Sequence, residues 1–214
     1  MYTHQKNIIT AGKPLQETGK ALIMIHGRGA TAKSILSLND YLNVTNFSFF
    51  APQATNHSWY PYSFMAPVEQ NQPALDSALS LLNEVVDSIQ NQGINSKSIY
   101  LLGFSQGACL TAEFAARKAQ QYGGLILFTG GLIGQQLNTQ NYTGDFGGTP
   151  VLITTGDPDP HVPVSRVNET VQILEEKGAT VTKNIYKGRP HTILPEEIAL
   201  ANKILNNAAA NTKN

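Results

Sequence analysis

An apolar run at residues 98–102 (SIYLL) leads directly into Gly103-Phe104-Ser105-Gln106-Gly107, and a helix-compatible stretch, ACLTAEFAARK, follows. A G-x-S-x-G pentapeptide set between a strand and a helix restricts the fold more than any other feature of the chain. A strand that reverses into a helix over so few residues brings the two backbones close together. Side chains two positions either side of the turn would collide there, and Gly103 and Gly107 remove them. Ser105, at the apex, is expected in a strained conformation at the top of a sheet, placed to act as a nucleophile. The competing explanation is a helix cap, which accounts for the serine and Gly107 but leaves Gly103 without a reason. Cys109 falls one helical turn further on, where a small buried residue is expected rather than a reactive thiol.

The rest of the chain supplies the sheet that such a turn needs. Short apolar runs at residues 21–26, 47–50, 124–128, 151–155 and 180–186 read as further strands. Between them lie helical patterns at 31–38, from 68 onward, at 106–118, 164–177 and 196–205. The clearest has Leu75, Leu79, Leu82, Val86 and Ile89 at helical spacing, with Ala78 and Val85 on the same face. Residues 53–66 contain too many turn formers for a regular element, and residues 130–149, rich in Gly, Gln and Asn, read as a surface excursion. Strands alternating with helices predict an α/β fold with a mostly parallel sheet, helices on both faces and function at the carboxyl ends of the strands. At 214 residues the chain fits one domain over 1–214, with a tail at 207–214 expected to fray.

A serine hydroxyl needs a base, and in this arrangement the chain order is serine, acid, histidine. Only His161 and His191 follow Ser105. His191, in GRPHT between the last strand and the last helix, is the expected base, because His161 lies within the turn that carries the acid. That turn reads Gly156-Asp157-Pro158-Asp159-Pro160-His161-Val162-Pro163 and offers two aspartates. One would orient the histidine and the other hold the turn through Asx-type hydrogen bonds; spacing alone leaves the choice open. The oxyanion of a tetrahedral intermediate needs backbone N–H donors. These are expected from Gln106, after the nucleophile, and from Arg28 in the His26-Gly27-Arg28-Gly29 turn, with the Arg28 side chain itself in solvent.

Composition removes several alternatives. Fifteen basic and fifteen acidic residues balance, with no basic stripe, so nucleic acid is not an expected partner. A single cysteine excludes an intrachain disulfide and a cysteine-based zinc site. No window reaches the roughly 20 apolar residues of a membrane helix, and residues 1–10 lack the apolar stretch of a secretory signal. The expectation is a cytoplasmic protein without stable membrane insertion.

HGRGA, the WYP of the second loop, GFSQGA, GDPDPHVP and GRPHT together resemble the phospholipase/carboxylesterase family of α/β-hydrolases, in order from about Ala21 to about Leu205. The resemblance implies that Asp159 is the acid and Asp157 the turn residue, that Arg28 and Gln106 supply the oxyanion N–H groups, and that no metal or organic cofactor takes part. It places Trp59 and Tyr60 beside the acyl pocket, packing of their loop onto the core being the equal alternative, and Leu132 with them. The implied substrate is a small-molecule carboxylic ester, hydrolysed through an acyl-enzyme by Ser105, Asp159 and His191, in an open cleft without a large cap domain. HGRG carries arginine where eukaryotic thioesterases of the family have an apolar residue, which favours short or small aromatic esters. The rivals are an acyl-protein thioesterase or lysophospholipase-like enzyme, which would want an apolar groove near residues 130–149, and a non-catalytic binding protein. A dienelactone-type hydrolase would want cysteine in place of Ser105. Whether the chain forms a homodimer is left open.

Overall fold

Strands with an apolar residue at every position need cover on both faces, and β2 (Ala21–Ile25) and β5 (Gly124–Phe128) are buried at every residue. The computed structural model describes residues 1–210. In it β1 (Ile8–Gly12), β2, β3 (Ser48–Pro52), β4 (Ile99–Phe104), β5, β6 (Pro150–Asp157) and β7 (Thr180–Lys187) form a seven-stranded sheet in the order β1-β3-β2-β4-β5-β6-β7. All pairings are parallel except β1 with β3.

The two-residue period of the strands divides the core in two. Ile23, Ile25, Leu101, Leu125 and Leu127 point to one face, where they meet α4 (Ala74–Gln90), α5 (Gln106–Arg117) and α6 (Val164–Glu176). Leu22, Met24, Tyr100, Leu102, Ile126 and Phe128 point to the other, under α2 (Ala32–Leu36) and α7 (Pro195–Ala210). Short helices α1 (Leu15–Thr18) and α3 (Val68–Asn71) complete the set. The expected helical stripe is the inward face of α4, buried from Leu75 to Ile89 except for the half-buried Leu79. Thr31 caps α2 by accepting from the Ser34 N–H at 3.0 Å. This is the expected α/β-hydrolase arrangement, with no large cap domain among the described residues and no helix there long and apolar enough to cross a membrane.

Three readings of the sequence need correction. Residues 8–12 form an antiparallel edge strand, although their weak apolar signal gave no hint of it. Its partner β3 runs to Pro52, past residue 50 where the apolar run ends. Pro52 is tolerated because the parallel ladder between β2 and β3 covers only Ser48 to Phe50, so no inward partner wants its missing N–H. Residues 130–149 are only partly a surface excursion. Residues 130–134 are buried, as are Tyr142 and Phe146. Buried Arg166 donates to the carbonyls of Leu132, Gly134 and Gln135, while buried Glu113 accepts from the Ile133 N–H and the Tyr142 hydroxyl. At the carboxyl end α7 continues through residues 207–210, and residues 211–214 of the expected frayed tail lie outside the described residues.

Candidate active site

The carboxyl ends of adjacent strands place the chemistry. Ser105 joins β4 to α5 with φ 55° and ψ −120°, a left-handed conformation for a residue with a side chain, and such strain costs on the order of 1–3 kcal/mol. Its N–H donates to the Phe128 carbonyl at 2.9 Å, and its carbonyl accepts the Cys109 N–H at 3.0 Å, so both neighbours hold it there. A Cβ on Gly103 would overlap the Gly107 carbonyl, and one on Gly107 would overlap the carbonyl of Ile25 on β2. Burial pushes the Cys109 thiol up to about 12, so it stays protonated near neutral pH and offers no thiolate.

His191 lies between β7 and α7. Its Nε2 is 2.8 Å from Ser105 Oγ and its Nδ1 2.9 Å from Asp159 Oδ2. The other oxygen, Asp159 Oδ1, accepts the N–H groups of His161 and Val162 at 2.9 and 3.0 Å. Burial by itself would raise the Asp159 carboxyl, but the His191 hydrogen bond and those two N–H donors outweigh it and hold the group below its ordinary value. The two aspartates do not divide their work as the resemblance implied. Asp159 both meets the histidine and closes the Asx-type turn, whereas the exposed Asp157 ends β6, and its backbone carbonyl accepts the Gly188 N–H. His161 comes into the cleft as well, its ring edge-on to His191 with centroids 5.0 Å apart.

The loop that presents His191 rests on a buried ion pair that sequence reasoning missed. The Arg189 and Glu197 side chains are 1% and 0% exposed, with Arg189 Nη1 3.7 Å from Glu197 Oε2. Arg189 also donates to the Thr192 carbonyl and, at 2.6 Å, to Thr129 Oγ1. Glu197 accepts from the Thr154 hydroxyl and, at 2.7 Å, from the Leu194 N–H. The available signal was an arginine two residues before the histidine with a glutamate in the first turn of the next helix.

Across the cleft, the N–H groups of Arg28 and Gln106 donate to no acceptor among the described residues. Gly27 brings the turn against the serine, since a Cβ there would lie 3.4 Å from Ser105 Cβ. The side chains of the same two residues grip one loop. Gln106 Nε2 donates to the Tyr60 carbonyl at 2.8 Å and its Oε1 accepts the Trp59 N–H at 2.9 Å. The Arg28 guanidinium is not simply solvated: it donates to Ser58 Oγ, the Pro61 carbonyl and the Tyr62 carbonyl at 3.0, 2.8 and 2.6 Å. Trp59 is packed below this loop against His4 and His26, and its Nε1–H donates to the His26 carbonyl at 2.8 Å. Of the three expected pocket residues only Tyr60 lines the cleft. Trp59 and Leu132 are fully buried and do not reach it. The cleft has a volume of about 660 Å³, and Arg28, Tyr62, Phe64, Phe104 and Val162 line it around Ser105 and His191. The depression beside the 130–149 segment has a mixed lining, with Gln135, Gln136, Arg166, Glu169, Gln172 and Glu176 around Leu137 and Ile173.

A model of the phospholipase/carboxylesterase family matches residues 5–209. A crystal structure described as a phospholipase/carboxylesterase from Dyadobacter fermentans superposes with a TM-score of 0.95 at 61% identity, covering 96% of this chain and 98% of that one. Acyl-protein thioesterase 1 of Saccharomyces cerevisiae is 25% identical over 219 residues, covering 90% of this chain and 94% of its own length. A protein of Arabidopsis thaliana named probable carboxylesterase SOBER1-like is 28% identical over 146 residues, 66% of this chain; the chain spans just 55% of that relative's length.

Proposed function

The chain belongs to the phospholipase/carboxylesterase family, and from that premise we propose that it is a serine carboxylesterase acting on small esters through Ser105, His191 and Asp159. One observation carries the reading. An unbroken hydrogen-bonded chain, 2.9 Å from Asp159 to His191 and 2.8 Å from His191 to Ser105, ends on a residue held in strained backbone geometry. Asp159, ionised and buried against Nδ1, fixes the tautomer that leaves Nε2 as acceptor for the serine proton. Ser105 Oγ attacks the acyl carbonyl as His191 takes that proton. The carbonyl oxygen becomes an oxyanion, which the unpaired N–H groups of Arg28 and Gln106 receive. His191 returns the proton to the departing alkoxide, leaving an acyl-serine. Water, deprotonated by His191, then attacks the acyl carbonyl, and the proton passes back to Ser105 as the acid leaves.

The likeness to an acyl-protein thioesterase over nearly the whole chain supports a second reading, a thioesterase for long acyl groups. The depression beside residues 135–176 favours the first, because Gln135, Gln136, Glu169, Gln172 and Glu176 interrupt its apolar surface at Leu137 and Ile173, and a long acyl chain needs a continuous one. Hydrolysis of 4-nitrophenyl esters from acetate to palmitate separates the two. Turnover is expected to be best on acetate to hexanoate and to drop about 10⁴-fold or more in Ser105→Ala. A palmitate optimum would move the assignment to the thioesterase. Wild-type turnover that survives in Ser105→Ala would remove both readings.

A further inference from the structure

The cleft carries one permanent charge, and that charge has no counter-ion among the described residues. No Asp or Glu lines the cleft, and among its lining residues Arg28 alone is charged at every ordinary pH. Among the described residues its guanidinium meets no carboxylate within 4.0 Å. What holds it are neutral oxygens: Nη1 donates to Ser58 Oγ and the Pro61 carbonyl, and Nη2 to the Tyr62 carbonyl. The Tyr60 ring lies beneath, with Cζ 5.9 Å from its centroid. These contacts fix the direction of the group without neutralising it.

A guanidinium has five N–H donors. The three hydrogen bonds leave Nε–H and one Nη2–H without partners among the described residues. On a guanidinium, Nε–H and the Nη2–H on the same edge form the pair that takes both oxygens of a carboxylate, and Nε–H is free here for that edge. An arginine kept only to fasten the 58–62 loop would be equally well served with an acid beside it. Here the charge is left uncompensated at the wall of a cleft whose lining includes Tyr60, Tyr62, Phe64 and Phe104.

We infer that Arg28 is a specificity determinant that binds a free carboxylate on the substrate, so that the preferred esters are small, largely apolar or aromatic molecules bearing a second, ionised carboxyl group. This rests on the esterase reading and sharpens it. The carboxylate can sit on the acyl part, as in a half-ester of a dicarboxylic acid, or on the alcohol part, as in an acylated hydroxy acid. Aromatic rings in the lining suit the body of either.

Two matched pairs test it, each corrected for its hydroxide-catalysed rate and followed by chromatography of the product. Monomethyl terephthalate against methyl 4-carbamoylbenzoate places the charge on the acyl side. The pair 4-acetoxybenzoate and 4-acetoxybenzamide places it on the alcohol side. In wild type, kcat/KM is expected to favour the carboxylate by roughly tenfold or more in one pair, the factor a charge-assisted hydrogen bond yields. That preference should shrink as salt is added, because the group is exposed. In Arg28→Gln the ratio within the pair should fall to near one, whatever the absolute rates become, and Arg28→Lys should restore part of it. A purely structural role for Arg28 would lower both members of a pair alike and leave the ratio unchanged, and that result overturns the inference. So does a wild type without preference in either pair. Calorimetry of benzoate against benzamide on Ser105→Ala decides the matter without turnover. Selective benzoate binding that disappears in the Ser105→Ala/Arg28→Gln double variant supports the subsite, and equal binding of both ligands removes it. Loss of the esterase reading looks different: neither member of either pair shows Ser105-dependent hydrolysis.

Discussion

The wall that presents Ser105 and the wall that presents His191 face each other across a few ångströms but are held by different forces. On the serine side the fixing is steric and runs through neutral acceptors, those of the Arg28 guanidinium included, with no ion pair among the described residues. Gly103 and Gly107 let β4, α5 and β2 approach to a distance that excludes a side chain, and the Gln106 amide locks the 58–62 loop through two hydrogen bonds to its backbone. On the histidine side the fixing is ionic and buried. Asp159 spends both oxygens on the turn and the imidazole, and below them the Arg189–Glu197 pair ties the ends of β5 and β6 to the loop before α7. Neutral contacts of the first kind weaken by increments when one is removed. A buried charge whose partner is taken away is left unsolvated, so the second kind fails abruptly.

The largest expected effect lies on the ionic wall. Asp159→Asn keeps an acceptor for the His161 and Val162 N–H groups but turns an NH₂ toward His191, inverting its tautomer; kcat should fall by about 10³–10⁴-fold with the melting temperature little changed. A loss of less than tenfold in steady-state assays would mean that His191 does not depend on Asp159. Next comes Glu197→Ala, which strands the Arg189 guanidinium in the interior and should cost about 3–5 kcal/mol in urea denaturation. The paired change Arg189→Met/Glu197→Leu should recover most of that stability while kcat stays depressed, because the loop has lost its anchor rather than its packing. If the double variant is as active as wild type, the ion pair does not position His191.

On the neutral wall, Gln106→Ala leaves the backbone N–H in place and removes only the grip on Trp59 and Tyr60. Stability should fall by about 1–3 kcal/mol, with a modest drop in kcat/KM. An effect as large as that of Glu197→Ala would erase the contrast between the walls. The smallest effect is a pH dependence. His4 Nδ1 accepts the Thr55 N–H and His26 Nε2 accepts the Ala54 N–H, at 3.1 Å each, so both rings must be neutral on that nitrogen. Burial lowers both, against the upward pull of their backbone hydrogen bonds. A lowered folded value means that the unfolded chain binds more protons. The stabilisation is therefore complete above the unfolded value near 6.5 and is lost as pH falls from there through the folded one. Asp159 adds a second loss further down, as pH falls through its depressed value below 3.8. Urea titrations between pH 7.5 and 5 should show the first slope, flattened in His4→Gln/His26→Gln; an unchanged slope in that variant assigns it elsewhere.

The serine wall could be read from the sequence because its determinants are local. A strand, two glycines and a helix lie within about twenty residues, and steric exclusion needs no distant partner. Asp159 and His191 were reachable through chain order and the resemblance, yet the double duty of Asp159 was not, since both aspartates of the turn offer the same chemistry and only burial separates them. The Arg189–Glu197 pair was not legible, because charged residues eight apart across a strand–helix junction look like surface until the loop is folded. The same holds for residues 130–134. Their glycine-rich composition imitates solvent-exposed chain, and the burial comes from Glu113 and Arg166, which lie 20 and 32 to 34 residues away from the groups they bind. β1 went unread for a related reason, as an edge strand with one half-covered face carries little apolar signal.

Trp59 is the only tryptophan in the chain, and it sits beneath the loop that the two oxyanion-hole candidates grip, between the rings of His4 and His26. The tryptophan fluorescence of the whole protein, excited at the red edge where tyrosine does not absorb, therefore comes from a single place, one layer below the cleft. Blue-shifted emission reports that the layer is closed and dry, and quenching by a protonated imidazole would register the acid transition of His4 and His26 before any global unfolding. The molecule thus carries its own optical gauge of the neutral wall, readable in the same cuvette as the hydrolysis it accompanies and without attaching a label.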